Sequence, residues 1–152
     1  MKFYIDGDAF PNLLKPIITR VIDRLKMDTF VIANKRVNVG QSRNFNYEIV
    51  RSGPDEADNR IVELVKEGDL VITADIPLAD RVISKNAYAI DHRGELYTEE
   101  NIKERLSIRD YMQELRNMGV PTQGPAPYTK RDATDFINQL DRFLTKLGLN
   151  KR

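Results

Sequence analysis

Gly68-Asp69-Leu70-Val71-Ile72-Thr73-Ala74-Asp75-Ile76-Pro77 is the stretch on which the fold turns. Glycine and an acid stop what precedes it. Leu70 to Ala74 is then an apolar, β-branched run, too short for a helix and without polar alternation, which marks a strand covered on both faces as in parallel sheets. Asp75 closes the strand, and Pro77 suits the first turn of a short helix to Ser84. Working downstream, Ala87-Tyr88-Ala89-Ile90 reads as another strand. Working upstream, Gly53-Pro54-Asp55 is a break followed by a helix start, and the helix runs to Glu67.

The same alternation extends to the amino terminus. Phe3-Tyr4-Ile5 is a buried strand ended by Asp6-Gly7-Asp8, Pro11 opens a helix from Asn12 to Lys26 with apolar residues at helical spacing, and Thr29 to Ala33 is a second strand. Residues 34 to 46 are polar and carry Lys35, Arg36 and Arg43 without an acid, so a loop or ragged hairpin is expected before a short strand at Tyr47 to Val50. Strands alternating with helices imply a parallel sheet with right-handed crossovers. Beyond residue 90, Thr98 caps a helix to about Met118 and Thr129 one to about Leu147, separated by a proline- and glycine-rich stretch from Gly119 to Pro127 that cannot be regular structure.

Composition narrows the chemistry. The 152 residues fit one domain, 1–152, with a helical segment from about 98. A formal charge of +1 supplies no global field for nucleic acid or an anionic membrane, so any such attraction is local. Cysteine is absent and histidine occurs once, at His92, which excludes thiolate metal sites and a cysteine nucleophile. The first apolar run meets acid after three residues and none approaches a membrane span, so a cytoplasmic protein without a membrane partner is expected.

Asp6 and Asp75 each follow a hydrophobic strand, and ligands of open parallel sheets bind beyond the strand carboxyl ends. Aspartate is also common wherever strands turn. Asp58 adds an independent argument: with Ile61, Val62, Leu64 and Val65 defining the packed face of its helix, Asp58 falls within about 40° of the centre of that face. Asp55, one turn earlier, lies at its edge, Asp8 is two residues beyond Asp6, and Asp80 follows Asp75 by one turn of the next helix. Carboxylates crowded together stay ionised only around a cation. With hard oxygen ligands and no cysteine, that cation is Mg2+ or Mn2+, able to activate water against a phosphodiester. The expected metal ligands are Asp6, Asp8, Asp55, Asp58 and Asp75, with Asp6, Asp58, Asp75 and Asp80 catalytic. Ser42 and Arg43 in the basic loop, with Arg109, are expected on the substrate phosphate, RNA or another nucleic acid. His92, in Asp91-His92-Arg93-Gly94, reads first as a turn residue, with a general-base role as the alternative.

Together these stretches resemble a known family. The motifs are Asp6-Gly7-Asp8-Ala9-Phe10-Pro11, Ser42-Arg43, Gly53-Pro54-Asp55-Glu56-Ala57-Asp58-Asn59 and Gly68 through Ala79, supported by Arg93-Gly94, Tyr97-Thr98, Arg109-Asp110 and Gly124-Pro125. They resemble the YaiI/YqxD family of uncharacterised bacterial proteins, related by fold to PIN-like and NYN nuclease domains, over nearly the whole chain. The resemblance implies a three-layer PIN-like α/β domain: a central, mainly parallel sheet flanked by helices, with the C-terminal helices packed on the core. Its acidic positions correspond to Asp6, Asp58, Asp75 and Asp80. Gly7 and Phe10 stand where the family reads Ala and Cys, and Ala133 follows Asp132 where the family reads Arg.

Three functions are compatible with these residues: a metal-dependent nuclease, a PIN-like module that binds nucleic acid, nucleotide or protein without cleaving it, and, from the spacing of Asp6 and Asp8 alone, an aspartate-nucleophile phosphatase. The phosphatase lacks a convincing lysine and hydroxyl on later loops.

Overall fold

A six-stranded sheet organises the computed structural model, which describes residues 1–149. In chain order the strands are β1 (Phe3–Asp6), β2 (Thr29–Ala33), β3 (Phe45–Ile49), β4 (Leu70–Ile72), β5 (Tyr88–Ile90) and β6 (Leu96–Tyr97). Their spatial order is β3-β2-β1-β4-β5-β6, and every neighbouring pair is parallel except β5 with β6. The chain builds outward from β1 on one side and then from β4 on the other. Between β1 and β4 the direction of winding reverses, which leaves a crevice at the carboxyl ends of those two strands.

Strand periodicity assigns the two faces. Phe3 and Ile5 of β1 pack with α1 (Lys15–Leu25) and α5 (Lys130–Lys146) through Ile18, Ile22, Phe136 and Leu140. Tyr4 points the other way, with Ile32, Val71 and Ala89, against Ala57 and Ile61 of α2 (Glu56–Leu64) and Leu78, Ala79 and Val82 of α3 (Ile76–Ile83). The period of two then sends Asp6 to the α2 side. The result is the three-layer α/β arrangement expected of a PIN-like domain.

Boundaries differ from the sequence reading for identifiable reasons. The first helix begins as a 3₁₀ turn, Asn12–Leu14, and becomes α-helical only at Lys15, because Pro16 has no amide to donate and fits only the first turn. Helix α2 stops at Leu64 rather than Glu67: the amide of Lys66 donates to Asp69 Oδ2 at 2.9 Å, which draws the chain out of the helix. Residues 34 to 44 form a loop and no hairpin, since β3 runs parallel to β2. Tyr47 folds that loop back, its hydroxyl accepting from the amides of Val39 and Gly40 and donating to the Gly40 carbonyl. Strand β6, two residues long, leaves no pattern to read; it exists because the Asp91 carboxylate accepts from the amides of Arg93 and Glu95 and reverses the chain.

Helix α4 (Glu99–Asn117) and α5 start alike and pack differently. Thr98 with Asn101, and Thr129 with Asp132, form reciprocal capping boxes. Helix α5 then buries Ala133, Phe136, Leu140, Phe143 and Leu144, whereas α4 buries Ile102 alone and leans on α3. Ile108, Tyr111 and Met112 of α4 remain exposed. Among the described residues, no helix is long and apolar enough to cross a membrane.

Candidate active site: an acid pocket at the strand ends

Asp6 is the last residue of β1 and is 9% exposed. Its Oδ2 accepts from the hydroxyl of buried Thr73 at 2.9 Å, and its Oδ1 accepts from the Asp8 amide at 3.4 Å. Thr73 directly follows β4, and its oxygen in turn accepts from the Asp75 amide at 3.0 Å. One hydroxyl therefore couples the two acids across the point where the sheet reverses. Asp75 is also the N-cap of α3, accepting from the Leu78 amide at 2.9 Å, so its carboxylate is fixed in orientation.

Helix α2 brings the third acid. Asp58 lies in its first turn, half-buried, with its carboxyl group at hydrogen-bonding reach of Asp75. Two carboxyl groups in contact need a proton or a cation between them. Asp55 stands at the N-cap with φ of 69° and caps nothing with its side chain, while Asp8 accepts from the Asn34 amide at 3.2 Å. Asp6, Asp8, Asp55, Asp58 and Asp75 together line a pocket of about 330 Å³, joined by Asn34, Gly53, Pro54 and His92.

The electrostatics follow from burial. Burial pushes the Asp6 carboxyl up to about 7; the charges of Asp58 and Asp8 push the same way, and the Thr73 hydrogen bond opposes them. Asp58 is raised to about 6, first by burial, then by the charges of Asp75 and Asp55 and by the contact with Asp75, with Arg81 pulling down. His92 is lowered to about 4 by burial and by the neighbouring Arg93, so its imidazole is neutral at physiological pH. Asp6 and Asp58 thus hold their protons more tightly than free carboxyl groups do, and perturbed acids of this kind cluster at functional sites.

Other candidates lie elsewhere. Ser42 and Arg43 precede β3 at the amino edge of the sheet, where the Thr29 amide donates to the Asn44 carbonyl, whereas Asp6 pairs with Ile32 at the far end of β2. The Ser42 hydroxyl donates to Asp23. A parallel β3 thus carries its lead-in away from the acids. Arg109 sits on the exposed part of α4, 3.6 Å from Asp110, and Asp80 lies on α3 outside the pocket lining. No lysine or arginine lines the pocket, which leaves an aspartate-nucleophile phosphatase without its cation. Of the basic loop, Lys35 and Arg36 are the nearest in sequence, directly following Asn34.

Thr73 and His92 enlarge the site beyond the sequence-derived set. Thr73 is legible only as a hydroxyl closing an apolar strand just before an acid; His92 is legible only as the one histidine, in a turn after β5. Among the described residues, no group of three or more His, Cys, Asp or Glu side chains stands ready to hold an ion. The donor set suits a hard cation that keeps most of its water, because Mg2+ needs only one or two protein carboxylates.

Residues 4–146 match the family described as Uncharacterized BCR, YaiI/YqxD family. The chain belongs to the YaiI/YqxD family. A UPF0178 protein of Sulfurimonas denitrificans is 60% identical over 146 residues, 96% of this chain and 97% of that protein. A UPF0178 protein of a Nitratiruptor species is 51% identical over 152 residues, 100% of both chains, and one of Shewanella pealeana is 49% identical over 146 residues, 96% and 97% of the two. No solved structure matches. In this chain Ala133 is buried, and the guanidinium that reaches Asp132 comes from Arg93, at 2.8 Å.

Proposed function

We propose that the acid pocket is the active site of a nuclease that uses Mg2+ or Mn2+ to hydrolyse phosphodiesters, RNA foremost. The observation that carries this reading is the contact between Asp58 and Asp75 beside buried Asp6, at the one place in the sheet where winding reverses. Asp6, Asp58 and Asp75 would hold the cation, with Asp8 and Asp55 at the rim. When bound, a divalent cation polarises a phosphoryl oxygen and lowers the pKa of coordinated water. The chain's own residues do the rest. Thr73 holds Asp6 and the Asp75 backbone in register, the Leu78 amide fixes the Asp75 carboxylate, and Asp58 approaches Asp75 from the first turn of α2. Lys35 and Arg36, exposed beside Asn34, offer positive charge to the strand outside the pocket.

A second reading, a binding module without turnover, draws on the acids not standing as a ready-made ion site. One set of measurements separates the two. Labelled single- and double-stranded RNA and DNA are incubated with protein and Mn2+ or Mg2+: the nuclease cleaves, stops with chelator, and loses at least about a hundredfold in rate in Asp6→Asn and Asp75→Asn, which remain folded. Binding without cleavage by the metal-loaded protein, unaltered in Asp75→Asn, establishes the module instead.

A further inference from the structure

Three hollows follow one another along residues 34–44. Asn34 lines the acid pocket. Lys35 and Arg36, with Val31, Val37, Tyr47 and Ile49, line a second hollow of about 480 Å³. Ser42 and Arg43, with Gly40 and Gln41, line a third of about 510 Å³, and Asn38 and Tyr47 belong to both, so the second and third are continuous. The first and second abut. The Asn34 amide donates to Asp8 at 3.2 Å, and Val37 packs closely on the turn between Asp6 and Asp8: a Cβ on Gly7 would stand 3.1 Å from Val37 Cγ2. The line runs beside β3, the edge strand of the sheet.

Charge changes sign along it. Five aspartates and no cation line the acid pocket, whereas Lys35, Arg36 and Arg43 line the next two hollows, and none of the three pairs with a carboxylate among the described residues. Glu48 is the one acid in those two linings, and both of its oxygens are taken by Arg60, at 2.7 and 3.1 Å. Asp23, outside them, accepts from the Ser42 hydroxyl. Between the hollows stands Tyr47, 44% exposed, its hydroxyl tied to Val39 and Gly40 so that the ring keeps its place. The loop itself is anchored: Val39 is buried, and Gly40 lies so close to α1 that a Cβ there would stand 2.1 Å from Thr19 Oγ1. Unpaired cations spaced along a fixed groove, around an exposed ring, suit a ligand that alternates negative charges with flat apolar faces.

We propose that residues 34–44 and β3 form a track for single-stranded nucleic acid. Lys35, Arg36 and Arg43 take phosphates, Tyr47 carries a base, and the strand turns over the carboxyl end of β2 at Asn34 to present a phosphate to the acid pocket. A duplex keeps its bases stacked inside and offers Tyr47 no face. At ~3.3 Å per residue, the five residues of β3 separate the ends of the track by roughly 15 Å, more than one nucleotide spans. Only the last step rests on the nuclease reading; binding along the track needs no cation.

The test therefore begins in chelator. Fluorescein-labelled oligouridylates, from the dinucleotide to about twelve residues, are titrated with the full-length protein by fluorescence anisotropy at several salt concentrations. Affinity should rise with length and then level. The triple variant Lys35→Gln, Arg36→Gln, Arg43→Gln should bind at least about tenfold more weakly and lower the slope of log affinity against log salt by about two, since each phosphate contact on a single strand contributes roughly 0.7. A control triple, Lys103→Gln, Lys130→Gln, Arg131→Gln, removes equal charge from exposed sites on α4 and α5 and should bind as wild type does. Tyr47→Phe and Tyr47→Leu both lose the hydroxyl ties and only the first keeps a ring; Tyr47→Leu should bind at least about fivefold more weakly than Tyr47→Phe, with the slope unchanged. Amide spectra confirm that each variant is folded. Wild-type affinity in the track triple, an equal loss in the control triple, or affinity independent of length overturns the track. So does equal binding of a duplex, or of an acidic peptide of matched charge. The nuclease reading fails separately: no cleavage of these oligonucleotides with Mn2+ removes it and leaves the track, whereas cleavage of the longest one with KM unaltered in the track triple removes the track.

Discussion

The two ends of the sheet each bury an aspartate, and they treat it in opposite ways. At the amino end, Asp69 is 6% exposed and accepts from the amides of Lys2 and Lys66, both at 2.9 Å. At the carboxyl end, Asp6 is 9% exposed, takes one good hydrogen bond from Thr73, and faces the charges of Asp58 and Asp8. Depth of burial is nearly equal, so depth does not mark the functional acid. Satisfaction does: Asp69 ties chain segments together, while Asp6 sits among like charges that a cation or a proton must relieve.

Substitution of both acids breaks or sharpens this contrast. Asp69→Ala strands two amides and is expected to cost about 2–4 kcal/mol in urea unfolding while leaving activity per folded molecule unchanged. Asp6→Asn at pH 8 removes a repelled charge and is expected to raise the stability of the metal-free protein by about 1–2 kcal/mol while abolishing cleavage. If Asp6→Asn destabilises as Asp69→Ala does, the two ends are not different in kind.

The pH dependence follows with a definite sign. The folded-state pKa of Asp6, about 7, lies above its ordinary value of 3.8, so between these values the folded chain keeps a proton that the unfolded chain releases. Its contribution is most favourable below about pH 4, declines by up to ~1.4 kcal/mol per pH unit, and levels off above about pH 7. Asp58 acts in the same direction with less weight, because solvent screens a half-exposed group. The stability difference between wild type and Asp6→Asn, measured by urea unfolding from pH 4 to pH 8, should follow this decline; a flat difference refutes it.

Two smaller effects complete the comparison. Mg2+ at ten times its Kd should stabilise wild type by ~1.4 kcal/mol and leave Asp6→Asn unmoved in thermal unfolding. Thr73→Val removes the donor to Asp6 and the acceptor for the Asp75 amide; it should cost about 1 kcal/mol and shift the descending limb of the pH profile upward, since the Thr73 hydrogen bond holds the Asp6 pKa down.

Much of the layout was legible in the residues. β1, β2 and β4 are buried on both faces and read as short apolar runs, and the spacing of Ile61 in α2 placed Asp58 inward, where it meets Asp75. The order of strands was not legible, because a crossover helix has the same pattern whichever way the next strand is laid. That gap explains Ser42 and Arg43: without the direction of β3, its basic lead-in can be imagined at either end of the sheet. Thr73 was hidden because threonine is an ordinary strand residue. His92 was read as a turn residue, and it is one. Only packing reveals that the same turn also walls the pocket.

The anchors of that turn have a consequence in time. The acids belong to the chain up to Asp75, but His92 is held by Tyr128, and its neighbour Arg93 by Ala126 and Asp132. A ribosome makes the residues of the acid cluster well before those that steady the histidine. Whatever order the sheet assembles in, the imidazole wall of the pocket cannot be locked until α5 has been synthesised and docked, so a nascent chain carries its acids long before its site is finished.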